Sequence, residues 1–543
     1  MMKHSLITLL LLCALGAQGQ EVLKYWVQFA DKAGSPYSLD RPDEYLSPRA
    51  LQRRQAFRIA VDSLDLPVSP QYLQQLQQAG FTVHALSRWM NGAVLFAPDQ
   101  QTAARLDTLP FVIGHTLYET ASATAPYWPI YDFGDEILQQ PFDTLYSPAY
   151  YGSGFTQIDQ LHGIALHRHG FQGQGLLIGV CDGGFPDVDN SPLFDSLRHS
   201  GRLVATRDFV WGGQEVYSIH THGTMVLSTL ASDLPGCYVG TAPKASYILC
   251  RTEDTFAETP LEEYYWIAAA EYLDSMGADI ISTSLGYYEF DDSTFNYHLS
   301  QLDGQTAPMT RAADIAVSRG MLLVCSAGNE GQAPEPHLGV PADAARVLTV
   351  GAVDSESHYA LFSSPGPTAD LRIKPDVAAL GEQITVGTTD AQLRVANGTS
   401  FSCPVMAGMM ACLWQRYPLL TPEQLCDSVR AWGNNADFPN FQTGYGIPDF
   451  SRAVPSDATS IPTTEEGRMC HLYPNPAADR TTLLLSHGGM AHITLFDPLG
   501  RPCRTLHTTA AQVDIPLGDL PRGCYTLRIT RGTATETLPL LLQ

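Results

Sequence analysis

Three short stretches of this 543-residue chain carry residue types that together can do nucleophilic chemistry. Ile178-Gly179-Val180-Cys181-Asp182-Gly183-Gly184 is an apolar run ending in a carboxylate and a glycine turn. His222-Gly223-Thr224 opens a helical pattern. Asn397-Gly398-Thr399-Ser400-Phe401-Ser402-Cys403-Pro404 leads into an apolar helix with Ala407 and Gly408 on it. Proline is tolerated in a first helical turn, so Ser400 falls near that helix's positive end. A serine hydroxyl is a weak nucleophile until a base takes its proton. A hydroxyl, an imidazole and a carboxylate are the parts that such a reaction needs. Singly, each has a plainer role: Asp182 as a turn residue, His222 as a capping histidine, Ser400 as an N-cap. Asn329, following a glycine, would alone be a turn.

These residues need a frame to hold them. Between residues 141 and 455, short apolar runs alternate with helical patterns. Leu176–Cys181, Tyr247–Cys250, Ile280–Ser284, Leu322–Ser326 and Val347–Val350 suit strands buried on both faces of a parallel sheet. Gly223–Ala231, Leu261–Met276 and Met309–Arg319 have helical spacing. The alternation predicts an α/β fold with a doubly wound, mostly parallel sheet. Ligands bind such sheets at the carboxyl ends of the strands. Asp182, Ser284 and the Ala327-Gly328-Asn329 turn all fall there.

The flanks differ in kind. Residues 1–19 read as a signal peptide, with Lys3 and His4, an apolar run from Leu6 to Leu15, and Ala17-Gln18-Gly19 as the cleavage site. Residues 20–140 read as a small α+β unit, with strands at Tyr25–Phe29, Phe81–Leu86, Ala93–Ala97 and Phe111–His115. Ala121 to Tyr151 reads as a connection. Residues 456–467 are a linker. Residues 468–543 hold short alternating strands, among them Thr481–Leu485, Ile493–Phe496, Gln512–Ile515 and Tyr525–Ile529, and predict a small β-sandwich.

Composition excludes some classes. A formal net charge of −24 argues against nucleic-acid binding, which needs clustered Lys and Arg. It also disfavours a polybasic membrane contact. The cysteines lack zinc-finger spacing. Cys181, Cys250 and Cys325 read as buried thiols, while Cys470, Cys503 and Cys524 could hold a disulfide in an exported chain. No third ligand completes a zinc set with His220 and His222. The sequon at Asn397 lies beside the candidate nucleophile and is read as accidental.

Taken together, the three patterns resemble the subtilisin-like serine peptidases, the subtilase or S8 family. Their Asp, His, Ser order is subtilisin's own. Ser284-Leu285-Gly286 is similar to the family's substrate-binding strand, and Ser326-Ala327-Gly328-Asn329-Glu330-Gly331 to its oxyanion-hole turn. Lys374-Pro375-Asp376-Val377 and Gly444-Tyr445-Gly446 also stand in family order. The resemblance implies a serine endopeptidase acting on proteins and peptides through an acyl-enzyme. His222, selected over His220 by the His-Gly-Thr pattern, would be the base, and Asp182 would hold its second nitrogen. The Asn329 amide and the Ser400 N–H would bind the oxyanion, where losing one donor costs about 3–4 kcal/mol of barrier. Ser284, Leu285, Gly286, Ala327 and Gly328 would line the substrate, with main-chain pairing along an exposed strand. No cofactor is implied. Calcium is bound by many members, but no ligand cluster here is carried over.

Three positions depart from the family. Gly183 stands where Ser or Thr commonly follows the aspartate, Met225 replaces a frequent histidine, and Leu380 replaces a frequent proline. None removes a catalytic group. The N-terminal unit resembles a subtilase propeptide, and Tyr45 to Arg54 resembles the corresponding segment of Bacteroidetes peptidases. The C-terminal unit resembles the sorting domain of type IX secretion, through Tyr473-Pro474-Asn475-Pro476-Ala477, Asp497 to Arg501 and Leu520 to Tyr525. A basic residue common near its end is absent from Thr537–Gln543. These matches imply a secreted or surface-attached protein that meets the type IX machinery. Two other classes stay open to test. A non-catalytic peptide-binding protein would retain the fold without turnover. A lipase is disfavoured because Gly398-Thr399-Ser400-Phe401-Ser402 lacks the second glycine of its elbow.

Overall fold

The computed structural model describes residues 21–122, 135–136, 140–142, 144–390, 392–455, 470–473, 475–485, 490–497, 501–510, 512–531 and 534–542. The leader and the linker at 456–467 lie outside the described residues. The chain divides into two units, residues 1–455 and 456–543, and each is described by itself.

The first unit begins with strand β1 (Glu21–Phe29), helices α1 (Pro48–Ala56) and α2 (Pro70–Gln78), and strands β2 (Thr82–Ser87), β3 (Gly92–Ala97) and β4 (Val112–Ser122). Both helices start with proline at the first position, and the Ser47 side chain caps α1. The strands form an antiparallel sheet in the order β2-β3-β1-β4 around Leu23, Val27, Leu76, Leu95 and Leu106. β4 runs to Ser122, beyond the strand read from sequence and into the stretch read as a connection. Its continued pairing with β1, from Val112 opposite Phe29 to Ser122 opposite Glu21, explains the extra length.

The α/β domain follows: β5 (Leu177–Asp182), β6 (Leu203–Asp208), α3 (His222–Ala231), β7 (Ser246–Arg251), α4 (Leu261–Met276), β8 (Ile280–Thr283), α5 (Pro308–Ser318), β9 (Leu322–Ser326), β10 (Leu348–Val353), β11 (Val377–Leu380), a hairpin of β12 (Ile384–Thr388) and β13 (Gln392–Ala396), α6 (Thr399–Arg416) and α7 (Pro422–Trp432). Seven strands form a parallel sheet in the order β11-β10-β9-β8-β5-β7-β6. The sheet is doubly wound. α3 and α6 cover one face with Leu227, Leu230, Val405 and Met409, and α4 and α5 cover the other with Trp266, Ile267, Leu273 and Ala313. Every residue of β5, β8, β9 and β10 is buried, which is why their sequences are continuous apolar runs. The edge strand β6 is only half-buried and carries Thr206, Arg207 and Asp208, so no apolar run announced it. Short β11 was likewise not read as a strand.

The Lys374-Pro375-Asp376 stretch locks β10 to β11. Buried Lys374 donates to Asp376 at 2.7 Å and to the Val347 carbonyl at 2.7 Å, while Thr349 N donates to Asp376 at 2.7 Å.

The N-terminal sheet rests on α4. Trp26 stacks on Tyr264 with centroids 3.9 Å apart. Below them Asp274, fully buried, pairs with Arg53, with Arg54 at 2.8 Å and with Arg88 at 2.6 Å. Glu271 accepts from Ser87 Oγ at 2.6 Å and from the N–H groups of Arg88 and Trp89 at 2.7 and 2.9 Å. Arg49 reaches Asp279 and donates to the Gly277 carbonyl at 2.9 Å. Charge buried this deeply is tolerated only when paired, so the contact is specific in register.

The second unit contains β14 (Cys470–Tyr473), β15 (Arg480–Leu485), β16 (Ala491–Phe496), β17 (Pro502–Thr508), β18 (Gln512–Pro516), β19 (Gly523–Arg531) and β20 (Ala534–Leu542). Two antiparallel sheets, β14-β15-β18 and β17-β16-β19-β20, enclose Leu483, Leu495, Ile515 and Leu527. β14, β17 and β20 were not read from sequence; β17 alternates between exposed and half-buried residues and lacks an apolar face. Of the late cysteines that could hold a disulfide, Cys503 and Cys524 are exposed and not bonded to each other. They lie on β17 and β19 with β16 between them, two strand spacings of about 4.8 Å apart and beyond disulfide reach. The side chain of Cys470 lies outside the described residues. Among the described residues no helix is long and apolar enough to cross a membrane, and no group of His, Cys, Asp or Glu could hold a metal ion.

Candidate active site

Asp182 ends β5, at the carboxyl edge of the sheet and completely buried. Its Oδ1 accepts from its neighbour Gly183 N at 2.8 Å. His222 is the first residue of α3, and its Nδ1 stands 2.9 Å from Asp182 Oδ1 and 3.0 Å from Oδ2. The pairing depends on Gly223. A Cβ there would stand 2.3 Å from the Gly184 carbonyl oxygen and 3.0 Å from Asp182 Cβ, so any side chain would push α3 away from β5. His220 does not compete for the carboxylate; its Nδ1 accepts from His222 N at 3.3 Å and braces the backbone instead.

The His222 side chain is 22% exposed. Burial pulls its pKa down, but the Asp182 charge, the hydrogen bond His222 donates to Asp182 and the charge of Glu253 outweigh this and push it up to about 9. Burial lowers His220 below the usual imidazole value.

Ser400 is the second residue of α6, half-buried, and its neighbour Phe401 holds its ring 5.7 Å from the His222 ring. In this structure Ser400 Oγ donates to the Ser284 carbonyl at 3.2 Å, and Ser284 Oγ donates to the Ser400 carbonyl at 2.8 Å. Being at a helix start, the Ser400 N–H has no intrahelical acceptor. Asn329 follows β9. Its Oδ1 accepts from Thr399 N at 2.9 Å and is 3.1 Å from Thr399 Oγ1. With the amide oxygen engaged, the amide NH2 is the end left to donate. Five separate segments thus meet at the carboxyl ends of β5, β8 and β9.

Of the residues read as substrate-lining, Ser284 and Leu285 are buried and only Gly286 is exposed. Ala327 is fully buried, and Gly328, with φ of 107°, turns the chain so that its N–H reaches Thr399 Oγ1 at 3.2 Å. Thr399 was not singled out from sequence, although it adjoins Ser400.

Glu253 also escaped the sequence reading. It lies two residues past β7, the strand paired with β5 so that Arg251 stands opposite Asp182. Only the pairing of β7 with β5 brings this acid beside the candidate carboxylate.

An α/β fold with a buried carboxylate, an imidazole and a helix-start serine defines a serine-hydrolase class of site. Comparison with known families narrows the class. The model described as the Subtilase family matches residues 173–446, and the chain belongs to that family. A Peptidase S8 propeptide domain of Bacteroidota matches residues 24–126, and a secretion system C-terminal sorting domain matches residues 471–542, marking an exported protein. Subtilisin E of Bacillus subtilis is 30% identical over 277 residues, which are 50% of this chain and 64% of that protein. Serine protease AprX of the same organism is 28% identical over 310 residues, 51% of this chain and 65% of the relative. The chain therefore spans a little under two thirds of the length of these relatives. The crystal structure of MycP1 from the ESX-1 type VII secretion system aligns at 22% identity with a TM-score of 0.46, covering 60% of this chain and 90% of that one.

Proposed function

We propose that this chain is the precursor of an exported serine endopeptidase, with Asp182, His222 and Ser400 as catalytic residues and Asn329 as an oxyanion donor. The observation that carries the reading is the contact of Asp182 with His222 at 2.9 Å beside the helix-start serine. In the reaction the Ser400 hydroxyl leaves the Ser284 carbonyl and gives its proton to His222 Nε2 as Oγ bonds to the scissile carbonyl carbon. The oxyanion is held by Asn329 Nδ2 and Ser400 N. His222 then passes the proton to the leaving amine, the C–N bond breaks, and a water hydrolyses the Ser400 ester by the same route. Release of the Ser284 carbonyl frees that acceptor for an extended substrate's N–H.

The N-terminal unit is the propeptide of this reading, seated on α4. The C-terminal unit is its tag for type IX export, leading to secretion or surface attachment after a signal peptide is removed. A fluorophosphonate probe is expected to label Ser400 in the matured protein, and that protein is expected to hydrolyse unfolded casein. A protein that binds casein yet takes no label and cuts nothing would favour the non-catalytic reading instead.

The pH profile carries its own expectation. The base works only when neutral, and its pKa is pushed up to about 9. Activity should therefore fall as pH drops through that value and rise on the alkaline side. Full activity at pH 6 in a kcat/KM profile would remove His222 from the role.

A further inference from the structure

Glu253 occupies the space that Gly183 leaves open. A Cβ built on Gly183 would stand 3.3 Å from Glu253 Oε2 and 3.1 Å from Thr255 Cγ2, both closer than side chains ordinarily approach. The glycine after Asp182 and the glutamate beyond β7 thus form one feature: a carboxylate laid over the turn that follows the catalytic aspartate. It is half-buried.

Among the described residues none forms an ion pair with it, although the charges of His222 and Arg251 act in its favour. The nearest cation by sequence, Arg251, is committed elsewhere. It pairs with Asp208 at 3.0 Å, donates to the Gly183 carbonyl at 3.2 Å and lies 4.1 Å under the Trp211 ring. The other groups acting on Glu253 are Asp182, His222 and Glu258, and Glu253 in turn acts on Glu262 at the start of α4. Most of these neighbours are acids. Burial, then Asp182, raises the Glu253 carboxyl to about 8.

A second observation is independent of the acids. Tyr287, one residue past the Ser284-Leu285-Gly286 strand, is 2% exposed, yet its hydroxyl has no hydrogen-bond partner. The charges acting on that hydroxyl are Glu262, Glu253, Glu258 and Glu263. A buried orphan donor beside unneutralised acids is a polar site awaiting a partner.

We propose that Glu253 is a specificity-determining residue whose carboxylate takes the Lys or Arg side chain of a substrate residue close to the scissile bond. The inference rests on the endopeptidase reading. A cation arriving beside it meets a desolvated carboxyl with no ion-pair partner among the described residues, and its charge favours the ionised form, the setting in which a close charge pair is strongest. Glu258, Glu262 and the Tyr287 hydroxyl shape the far side. The sequence departure at Gly183 suits the subsite, since the Cβ of a serine or threonine there would press on the glutamate and on Thr255.

The test is a set of internally quenched peptides, each with one Lys or one Gln at one of the four positions before the scissile bond. With the matured protein, kcat/KM for Lys over Gln is expected to reach roughly 30-fold at one position. In Glu253→Gln that ratio should fall to about threefold or less, while Glu253→Asp should keep most of it. Removing the carboxylate should also move the acidic limb of the kcat/KM profile to lower pH, because a negative charge near His222 is lost. The same ratio in wild type and Glu253→Gln would overturn the proposal. Binding of the same peptides to Ser400→Ala reads the preference without turnover. Casein cleavage with no Lys preference would sink the subsite and leave the peptidase reading intact. Absence of Ser400-dependent cleavage would sink the peptidase reading, while the binding ratio still decides for or against the subsite.

Discussion

Ser400→Ala is expected to lower kcat on casein by about 10^6-fold, and Asp182→Asn by about 10^4-fold, with KM little changed. On the proposed mechanism the first variant removes the atom that would form the acyl bond. The second keeps the shape of the site and alters one proton. Asp182 Oδ1 accepts from Gly183 N at 2.8 Å, and His222 Nδ1 stands against both oxygens, 2.9 Å from Oδ1 and 3.0 Å from Oδ2. An asparagine keeps only one of those oxygens. If its oxygen stays with Gly183, its NH2 faces His222 and forces the imidazole to carry its proton on Nε2. That nitrogen can then no longer take the serine proton. The double variant should be hardly slower than Ser400→Ala alone, because the two groups act in one step. Stopped assays with active-site titration check this; an Asp182→Asn enzyme within tenfold of wild type would show that the carboxylate is not the orienting group.

Asp274→Ala is expected to destabilise the precursor by about 3–5 kcal/mol. This carboxylate lies beneath the N-terminal sheet and meets the guanidinium groups of Arg53, Arg54 and Arg88. Burial raises its pKa, but the three arginines outweigh this and hold it below the usual carboxylate range. A group lowered in this way stabilises the fold above its unfolded pKa and loses that contribution as pH falls toward its folded one. Without it, buried cations face one another with no counter-charge; Arg54 retains Asp65 at 2.8 Å, but Arg53 retains only carbonyl oxygens. Arg88→Met should cost less, because Asp274 keeps two partners. Urea unfolding of the full chain measures both, and equal costs for the two variants would contradict the account.

Much of this frame was legible because the central strands are buried on both faces. β5 and β9 are written mostly in apolar residues and β8 opens on two isoleucines, and an abrupt Asp182 or Ser284 at such a run's end stands out. The edge of the sheet was less legible. β6 satisfies only one neighbour and keeps polar side chains, so its pattern is that of a loop. Among the site residues, Asn329 was visible through its glycine-rich turn, yet the residue that orients its amide, Thr399, was not. Its role arises from a contact between segments 70 residues apart. Glu253 was invisible for a different reason. In a chain with 56 acidic residues one more glutamate carries no signal until the pairing of β7 with β5 brings it to the cleft.

Cys181 and Cys250 face each other across β5 and β7 in the finished sheet, and both thiols are unpaired and wholly buried. Five more unpaired cysteines are buried elsewhere in the same unit. For a chain bound for an oxidising environment these thiols set a deadline. Any pair that meets an oxidant while strands are still open can be cross-linked in the wrong register, directly beneath Asp182 in the case of Cys181. The native sheet escapes that fate by closing first. Export of this protein is therefore a race between burial and oxidation, and a slowed variant would arrive as mispaired disulfides.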